Sequence, residues 1–525
     1  MSVNKVLING EWCEATHQQT FSPFSPTTGE KLEQEYPISD WIDCDKALTA
    51  ATLAYQKLQV TSRESIAQFL ELYADKIAVH SDELVELAHQ ETGLAKSPRL
   101  ADVEIPRTVS QIKLAAHAAR EASWTMPTID TGNNIRSMLQ SIGPVVVFGP
   151  NNFPFAFGSA SGSDFASAIA AGNPVIAKAH PSHPGTTKLF AELAQLAVVE
   201  SGLPKSTVQL VYAMSNESGL RLVSDPRTAA TGFTGSRAAG LALKAAAEQA
   251  GKLIYLELSS VNPVFVLQGA LNQRKEQVAD EFAGSCTMAA GQLCTKPGLV
   301  VVPDSTEGDE FIKLAVEKFE AGVVGTLLSE NAAEHIKQTA DKICAAGGNL
   351  LVGNTPVDEA RFCYNNTLLT IDGEQFIKDS ETFQSEMFGN ASLIIRSNST
   401  EQSLKIIQCL EGNLTGCFYS DTEGADDQEY TILEPALRHK VGRIINDKMP
   451  TGVAVSAAMN HGGPFPASGH PGFTAVGMPA AIKRFAALKC YDGVRANRLP
   501  ELLTDENQNQ SIWRLIDGRW SQDNI

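Results

Sequence analysis

The chain has 525 residues, 43% hydrophobic and 19% charged, a composition that fits a folded globular enzyme of two to four domains at roughly 150 residues each. Its formal net charge of −18 argues against nucleic acid or an anionic membrane surface as partner. The start, MSVNKVLINGEWCEA, has no apolar run or cleavage site, and no stretch nears the roughly 20 apolar residues that span a bilayer, so a cytoplasmic protein without membrane contact is expected.

In chain order, helical spacing appears first, at 62–79, 82–91 and 104–120. A polar, β-capable stretch without a core pattern of its own follows at 123–141. From 143 to 258 short apolar runs bounded by Gly or Pro alternate with helical patterns. Strands are predicted at 144–148, 174–178, 208–211, 228–233 and 253–256, and helices at 158–171, 185–201 and 236–250. In the helix at 185–201, Leu189, Leu193 and Leu196 stand at core spacing. Such alternation predicts an α/β fold, a doubly wound parallel sheet covered on both faces, with ligands beyond the carboxyl ends of its strands. Residues 258–470 mix helices with short strands and end in a Gly/Pro-rich loop at 461–472. The last thirty or so residues, including DENQNQ, read as a tail anchored by Trp513 and Trp520.

The unusual residues cluster at predicted strand ends. GPNNFP (149–154) follows the first strand with two side-chain amides. GFTGS (232–236) ends the fourth strand and opens a helix with Ser236 at its N-cap, where backbone amides attract phosphate. LELSSVNP (256–263) places Glu257 at the end of the fifth strand, where a buried carboxylate is costly without a partner or a task. GQLC (291–294) sets Cys294 on a Gly-rich break after a helical run, where amides can stabilise a thiolate. Cys286 and the other seven cysteines read as core thiols; nine is an odd number, and with no CxxC pair or metal spacing neither disulfides nor a metal site is expected. EMFG (386–389) lies in the second region.

In this order and at these separations the segments resemble the aldehyde dehydrogenase superfamily, from LINGEW near the start to about Tyr491. The resemblance implies that Cys294 attacks the aldehyde carbonyl while the Asn152 amide and the Cys294 N–H hold the oxyanion. Hydride then passes to a nicotinamide dinucleotide, and Glu257 activates the water that hydrolyses the thioester. It also implies that Lys178 contacts the adenosine ribose, that Gly232 and Ser236 receive the pyrophosphate, and that Glu386 and Phe388 hold the nicotinamide ribose and flank the ring. The implied parts are a dinucleotide-binding domain (1–123 and 142–256), a catalytic domain (257–478), and an oligomerisation flap with C-terminal tail (124–141 and 479–525). A strand at 488–491 would pair across subunits, giving a homodimer or a dimer of dimers.

The chain also departs from the family pattern. Lys178-Ala179-His180-Pro181 lacks the carboxylate that NAD-preferring members carry three residues after the lysine, which removes a repulsion against a 2′-phosphate. Arg237 follows GFTGS and, with His180, Ser182 and His183, offers donors to that phosphate. This favours NADP, with NAD as the alternative. Ser259-Ser260 replaces the usual glycine pair, and Asn390 replaces a proline.

KAHPSHPGT, FTGSRAAG and GGPFPAS resemble the subgroup holding α-ketoglutaric semialdehyde (2,5-dioxovalerate) dehydrogenases and some bacterial NADP-linked long-chain aldehyde dehydrogenases. A dicarboxylic semialdehyde needs a cation, for which Arg107 and Lys296 are the candidates. A long-chain substrate needs an apolar tunnel, for which Phe153, Phe155, Phe157 and Phe465 are the candidates. The smaller substrate is expected, on whole-length similarity. Two other classes compete: a cofactor-independent thiol hydrolase, which needs a histidine beside Cys294 that no motif identifies, and a non-catalytic scaffold, which would have lost the cysteine or the glutamate.

Overall fold

Two seven-stranded sheets and one five-stranded sheet organise the computed structural model, which describes residues 3–357, 359–508 and 511–525. In the first sheet Leu253–Glu257, Ala230–Thr234, Val145–Phe148, Val175–Lys178 and Val208–Val211 lie side by side and parallel. Antiparallel Val6–Ile8 and Glu11–Cys13 extend it. Runs such as VVVF and VIAK suit this position because β-branched residues pack on both covered faces. Helices Ser163–Ala170, Pro184–Ser201 and Arg237–Gln249 connect the strands. Phe148 registers with Lys178 and Phe233, and Thr234 with Glu257, so the strand ends that carry polar residues share one edge.

Three local expectations change, the first being that a helix the sequence did not signal, Asn216–Ser224, stands between Val208–Val211 and Ala230–Thr234. The helix predicted at 158–171 begins only at Ser163, because the chain before it folds back on itself: a Cβ on Gly158 would lie 2.3 Å from the Pro154 carbonyl oxygen. On Pro184–Ser201 the buried stripe runs through Phe190, Leu193, Ala194, Ala197 and Val198, leaving Leu196 on the flank at 55% exposure.

The second sheet joins Val264–Val266, Leu299–Pro303, Thr367–Asp372, Ala391–Ser397, Asn413–Tyr419 and Val441–Asn446, all parallel to their neighbours, with antiparallel Asn349–Val352 at one edge. In the third sheet Ala486–Asp492 pairs over seven residues with Ile135–Ser141. Thr128–Asp130 follows, and then the hairpin Arg514–Ile516 and Arg519–Ser521.

That hairpin replaces the expected tail. Asp517 and Gly518 turn it with φ of 47° and 81°. The buried Arg514 donates to the carbonyls of Thr504 and Asp523, and the buried Arg136 donates to the Leu503 carbonyl and pairs with Asp505. Two buried cations with their acceptors on this segment give it a reason to be ordered. Trp513 and Trp520, expected as anchors, stand half-exposed. Among the described residues no helix is long and apolar enough to cross a membrane.

Candidate active site

Cys294 owes its position to a tight break. After the helix Gln268–Thr287 the backbone turns left-handed at Ala289, Ala290 and Gly291, with φ of 49°, 54° and 68°. Only glycine fits the last of these, since a Cβ there would stand 2.1 Å from the Gly389 carbonyl oxygen. The loop beyond is pinned through its backbone. Asn262 Nδ2 donates to the carbonyls of Cys294 (2.9 Å) and Lys296 (3.0 Å), and Gln292 Oε1 accepts from Leu328 N (2.8 Å). The Cys294 sulfur is thus half-buried at the wall of a cavity.

A histidine that sequence reasoning passed over stands beside it. His461 Nε2 lies 3.3 Å from Cys294 Sγ and 3.0 Å from Glu257 Oε1, and a ligand atom from each of the three residues falls within 4.8 Å of the others. Glu257 and His461 are both buried. Burial alone would push the imidazole down, but the Glu257 carboxylate, the Cys294 sulfur and the bonds to both outweigh it and hold His461 up, to about 10. The imidazolium can then donate from Nε2 to carboxylate and sulfur. Glu257 Oε2 is buried without a hydrogen-bond partner among the described residues. The one trace of His461 in the sequence is its place at the head of the 461–472 loop, which gives no chemical signal by itself.

Asn152 is buried close by, its Nδ2 donating to the Gln292 carbonyl at 2.9 Å. Phe153 and Phe157 pack edge to face, 5.3 Å between centroids, and line the cavity that Cys294 opens on. The cavity encloses about 1030 Å³ and is mainly apolar, with Met288, Leu293 and Val323 in its wall. Arg107 enters that wall over the Phe157 ring, 5.4 Å from the centroid, and donates to the Val453 carbonyl. Its Nε and Nη2 have no partner among the described residues, and burial pulls its basicity down.

Three other substrate candidates lie elsewhere. Lys296 is buried, its ammonium on the carbonyls of Met387 (2.9 Å) and Ala391, so it braces the nucleophile loop against the loop that carries Glu386. Phe465 is half-exposed beside Arg237, 5.9 Å from ring centroid to guanidinium, and Phe155 is core, packed on Phe190.

A polar cleft of about 490 Å³, lined by Arg237, Ser259, Ser260, Glu386 and Glu411 among others, opens beyond the first sheet. Burial in this cleft pushes Glu386 up to about 7, against the opposing pull of the Lys296 cation and of Ser259 and Ser260 beside its carboxylate. The Ser-Ser departure therefore stands next to Glu386 in the cleft. Asn390, in place of proline, is buried with Nδ2 on the Tyr364 carbonyl and Asn366 Oδ1. Phe388 is half-buried. Ser236 caps the helix Arg237–Gln249, accepting from Ala239 N, and is exposed. Lys178 ends its strand with no ion-pair or hydrogen-bond partner among the described residues, and burial pulls it down to about 8. His180 Nδ1 accepts from Ser182 N, and its ring stacks on His183. Pro181 and Ser182 line a hollow of about 330 Å³.

Two cofactor candidates serve other contacts. Arg237 is paired with Glu411 through Nη1 and Nη2 at 2.8 and 3.1 Å. Gly232 faces the Asp164 carboxylate, which a Cβ would approach to 2.4 Å; the glycine makes room for the Asp164–Arg484 pair. Cys286 is buried as expected, whereas Cys490 is exposed on the edge strand Ala486–Asp492.

Comparison with known proteins gives this geometry its setting. Residues 12–469 match the family model described as aldehyde dehydrogenase family. The chain is 35% identical to an alpha-ketoglutaric semialdehyde dehydrogenase 2 of Azospirillum brasilense, over 99% of this chain and 100% of that one. It is 33% identical to an alpha-ketoglutaric semialdehyde dehydrogenase of Acinetobacter baylyi, over 99% of each. Among solved structures, a mutant aldehyde dehydrogenase C of Pseudomonas syringae with NAD+ and octanal superposes with TM-score 0.80 at 20% identity, covering 95% of this chain and 98% of that one. The chain belongs to the aldehyde dehydrogenase family, whose members use NAD(P)+, and is an enzyme that oxidises an aldehyde.

Proposed function

We propose that the enzyme converts 2,5-dioxovalerate to 2-oxoglutarate, with Cys294 as nucleophile. The observation that carries this reading is Arg107, a cation with two nitrogens unpartnered among the described residues, in the wall of a mainly apolar cavity that also holds Cys294. A substrate carboxylate satisfies such a group better than any alkyl chain does. The names of the Azospirillum and Acinetobacter relatives agree.

In this mechanism Cys294 Sγ adds to the aldehyde carbon. The oxygen that becomes negative is met by the Cys294 N–H and by the second proton of Asn152 Nδ2, the first being engaged by Gln292. A bound dinucleotide supplies the hydride acceptor. Glu257 takes a proton through its free Oε2 from the water that cleaves the thioester, and the His461 imidazolium steadies the departing thiolate. The residues present fit a dinucleotide: Lys178, without a partner among the described residues, the capped helix end at Ser236 and the half-buried Glu386 would meet its ribose, pyrophosphate and nicotinamide ends. We favour NADP because no carboxylate stands at Pro181, with Lys178, His180 and Ser182 rather than the Glu411-bound Arg237 nearest in chemistry to a 2′-phosphate. Free thiols suit a reducing cytoplasm. The open edge of Ala486–Asp492, with Leu488 at 64% exposure, suits a homodimer or dimer of dimers.

Two observations favour other readings. The size and apolar wall of the cavity suit a long-chain aldehyde. The His461 contact supplies the partner that a cofactor-independent thiol hydrolase requires. Absorbance at 340 nm with 2,5-dioxovalerate, succinic semialdehyde and alkanals of rising length, each with NADP and NAD, separates the three. The proposed reading expects 2,5-dioxovalerate with NADP to give the highest kcat/KM. A maximum at long alkanals overturns it in favour of the second reading, and acid release without reduced cofactor favours the third.

A further inference from the structure

Asn152 and Phe153 are held from behind by two charged side chains outside the machinery described above. Glu104 is fully buried. Its Oε1 accepts from Phe155 N (2.9 Å) and Ala156 N (3.0 Å), and its Oε2 accepts from Arg99 Nη1 (2.6 Å). Arg99 Nη2 donates to the Asn152 carbonyl at 2.9 Å, and its guanidinium lies 4.2 Å above the Phe153 ring centroid. The pair thus grips the backbone at 152, 155 and 156 and the face of one aromatic ring.

Local folding explains how residues five apart form this pair. Lys96–Glu104 is wound as a π-helix, and Ile105 N bonds Leu100 O across the wider turn. An α-helical turn sets neighbours three or four apart on one face; the wider turn brings Arg99 and Glu104 together. The same wall carries Arg107 three residues on, and Arg99, Glu104 and Arg107 all line the Cys294 cavity. An uncompensated carboxylate this deeply buried is costly, so the arrangement persists only while all of its bonds are made.

We propose that Arg99 and Glu104 form a positioning clamp that sets the Asn152 amide for the developing oxyanion, a role that rests on the assignment of Asn152 in the proposed mechanism. The clamp works through backbone alignment, since Arg99 meets Asn152 at its carbonyl and Glu104 fixes the next turn. Small displacements of an oxyanion donor matter because its contribution depends on where the charge appears.

A double-mutant cycle on the full-length enzyme with NADP tests this, using Arg99→Met, Asn152→Ala and the pair. Asn152→Ala is expected to cut kcat by about 10²–10³-fold. Arg99→Met is expected to cut kcat by about tenfold or more, a partial version of the same loss, with KM for the aldehyde within about twofold. Alkylation of Cys294 by iodoacetamide, which needs no oxyanion donor, should keep its wild-type rate. In the double variant kcat should equal that of Asn152→Ala alone, because a clamp without its amide has nothing left to align. Independent losses that multiply, or a wild-type kcat in Arg99→Met beside a slow Asn152→Ala, overturn the clamp. A wild-type rate in Asn152→Ala overturns the oxyanion assignment and the clamp with it. Should Arg99→Met fail to fold, Glu104→Gln enters the same cycle, since it keeps an oxygen for the amides at 155 and 156 while removing the charge that faces Arg99.

Discussion

His461 Nε2 sits 3.3 Å from Cys294 Sγ although 167 residues separate the two in the chain. The same nitrogen lies 3.0 Å from Glu257 Oε1, so one N–H is shared by a sulfur and a carboxylate. A charge-assisted hydrogen bond of this kind is worth about 1.5–3 kcal/mol. His461→Asn should therefore slow iodoacetamide alkylation of Cys294 at neutral pH by roughly tenfold or more. An unchanged rate would show that the histidine does not support the thiolate.

Glu257 has a different task and a different signature. Its Oε2 has no partner among the described residues, which leaves it free to take a proton from water. Glu257→Gln should keep the first burst of reduced cofactor, near one per site, and slow steady turnover by about 10²–10⁴-fold. Rapid-mixing absorbance separates the two phases, and loss of the burst itself would assign Glu257 to an earlier step.

Arg107 should discriminate between substrates. Arg107→Met keeps the bulk of the side chain and removes the charge, so KM for 2,5-dioxovalerate should rise by about tenfold or more, the usual scale for a lost charged partner. Alkanals should be unaffected or improved. Equal loss for both would make Arg107 a structural support of the Val453 loop.

Lys178 gives the cofactor site a pH dependence. Burial holds it down to about 8, so it is a cation below that pH and increasingly neutral above it. NADP affinity should weaken as pH rises through about 8, whereas in Lys178→Met it should be lower and flat. Pro181→Glu should weaken NADP binding by about tenfold while sparing NAD, because a carboxylate there repels a 2′-phosphate. Fluorescence titration of both dinucleotides checks both expectations.

The C-terminal hairpin should be part of the folded unit. Deleting 493–525 strips Arg136 of the Leu503 carbonyl and the Asp505 carboxylate. An orphaned buried donor costs about 1–3 kcal/mol. The truncated protein should melt several degrees lower and scatter light as aggregate; an unchanged melt would mean the hairpin is dispensable.

Most strands and helices from 143 to 258 were legible in the chain because burial on both faces imposes short apolar runs and glycine breaks fall at their ends, but the helix Asn216–Ser224 was not expected. Cys294, Glu257, Asn152 and Lys178 stood out as candidates for the same reason: each sits beside such a break at a strand or helix end. His461, Arg99 and Glu104 did not, since the contacts that single them out are with residues 51 to 204 positions away, and nothing in their own neighbourhood marks them. Arg237, Lys296 and Phe465 show the opposite case. Proximity in the chain suggested a ligand, but the folded protein gives Arg237 to Glu411, Lys296 to two carbonyls and Phe465 to the surface. Local sequence determines where a side chain leaves the backbone, whereas the partner of a charge is decided by which distant group folding brings within about 3 Å.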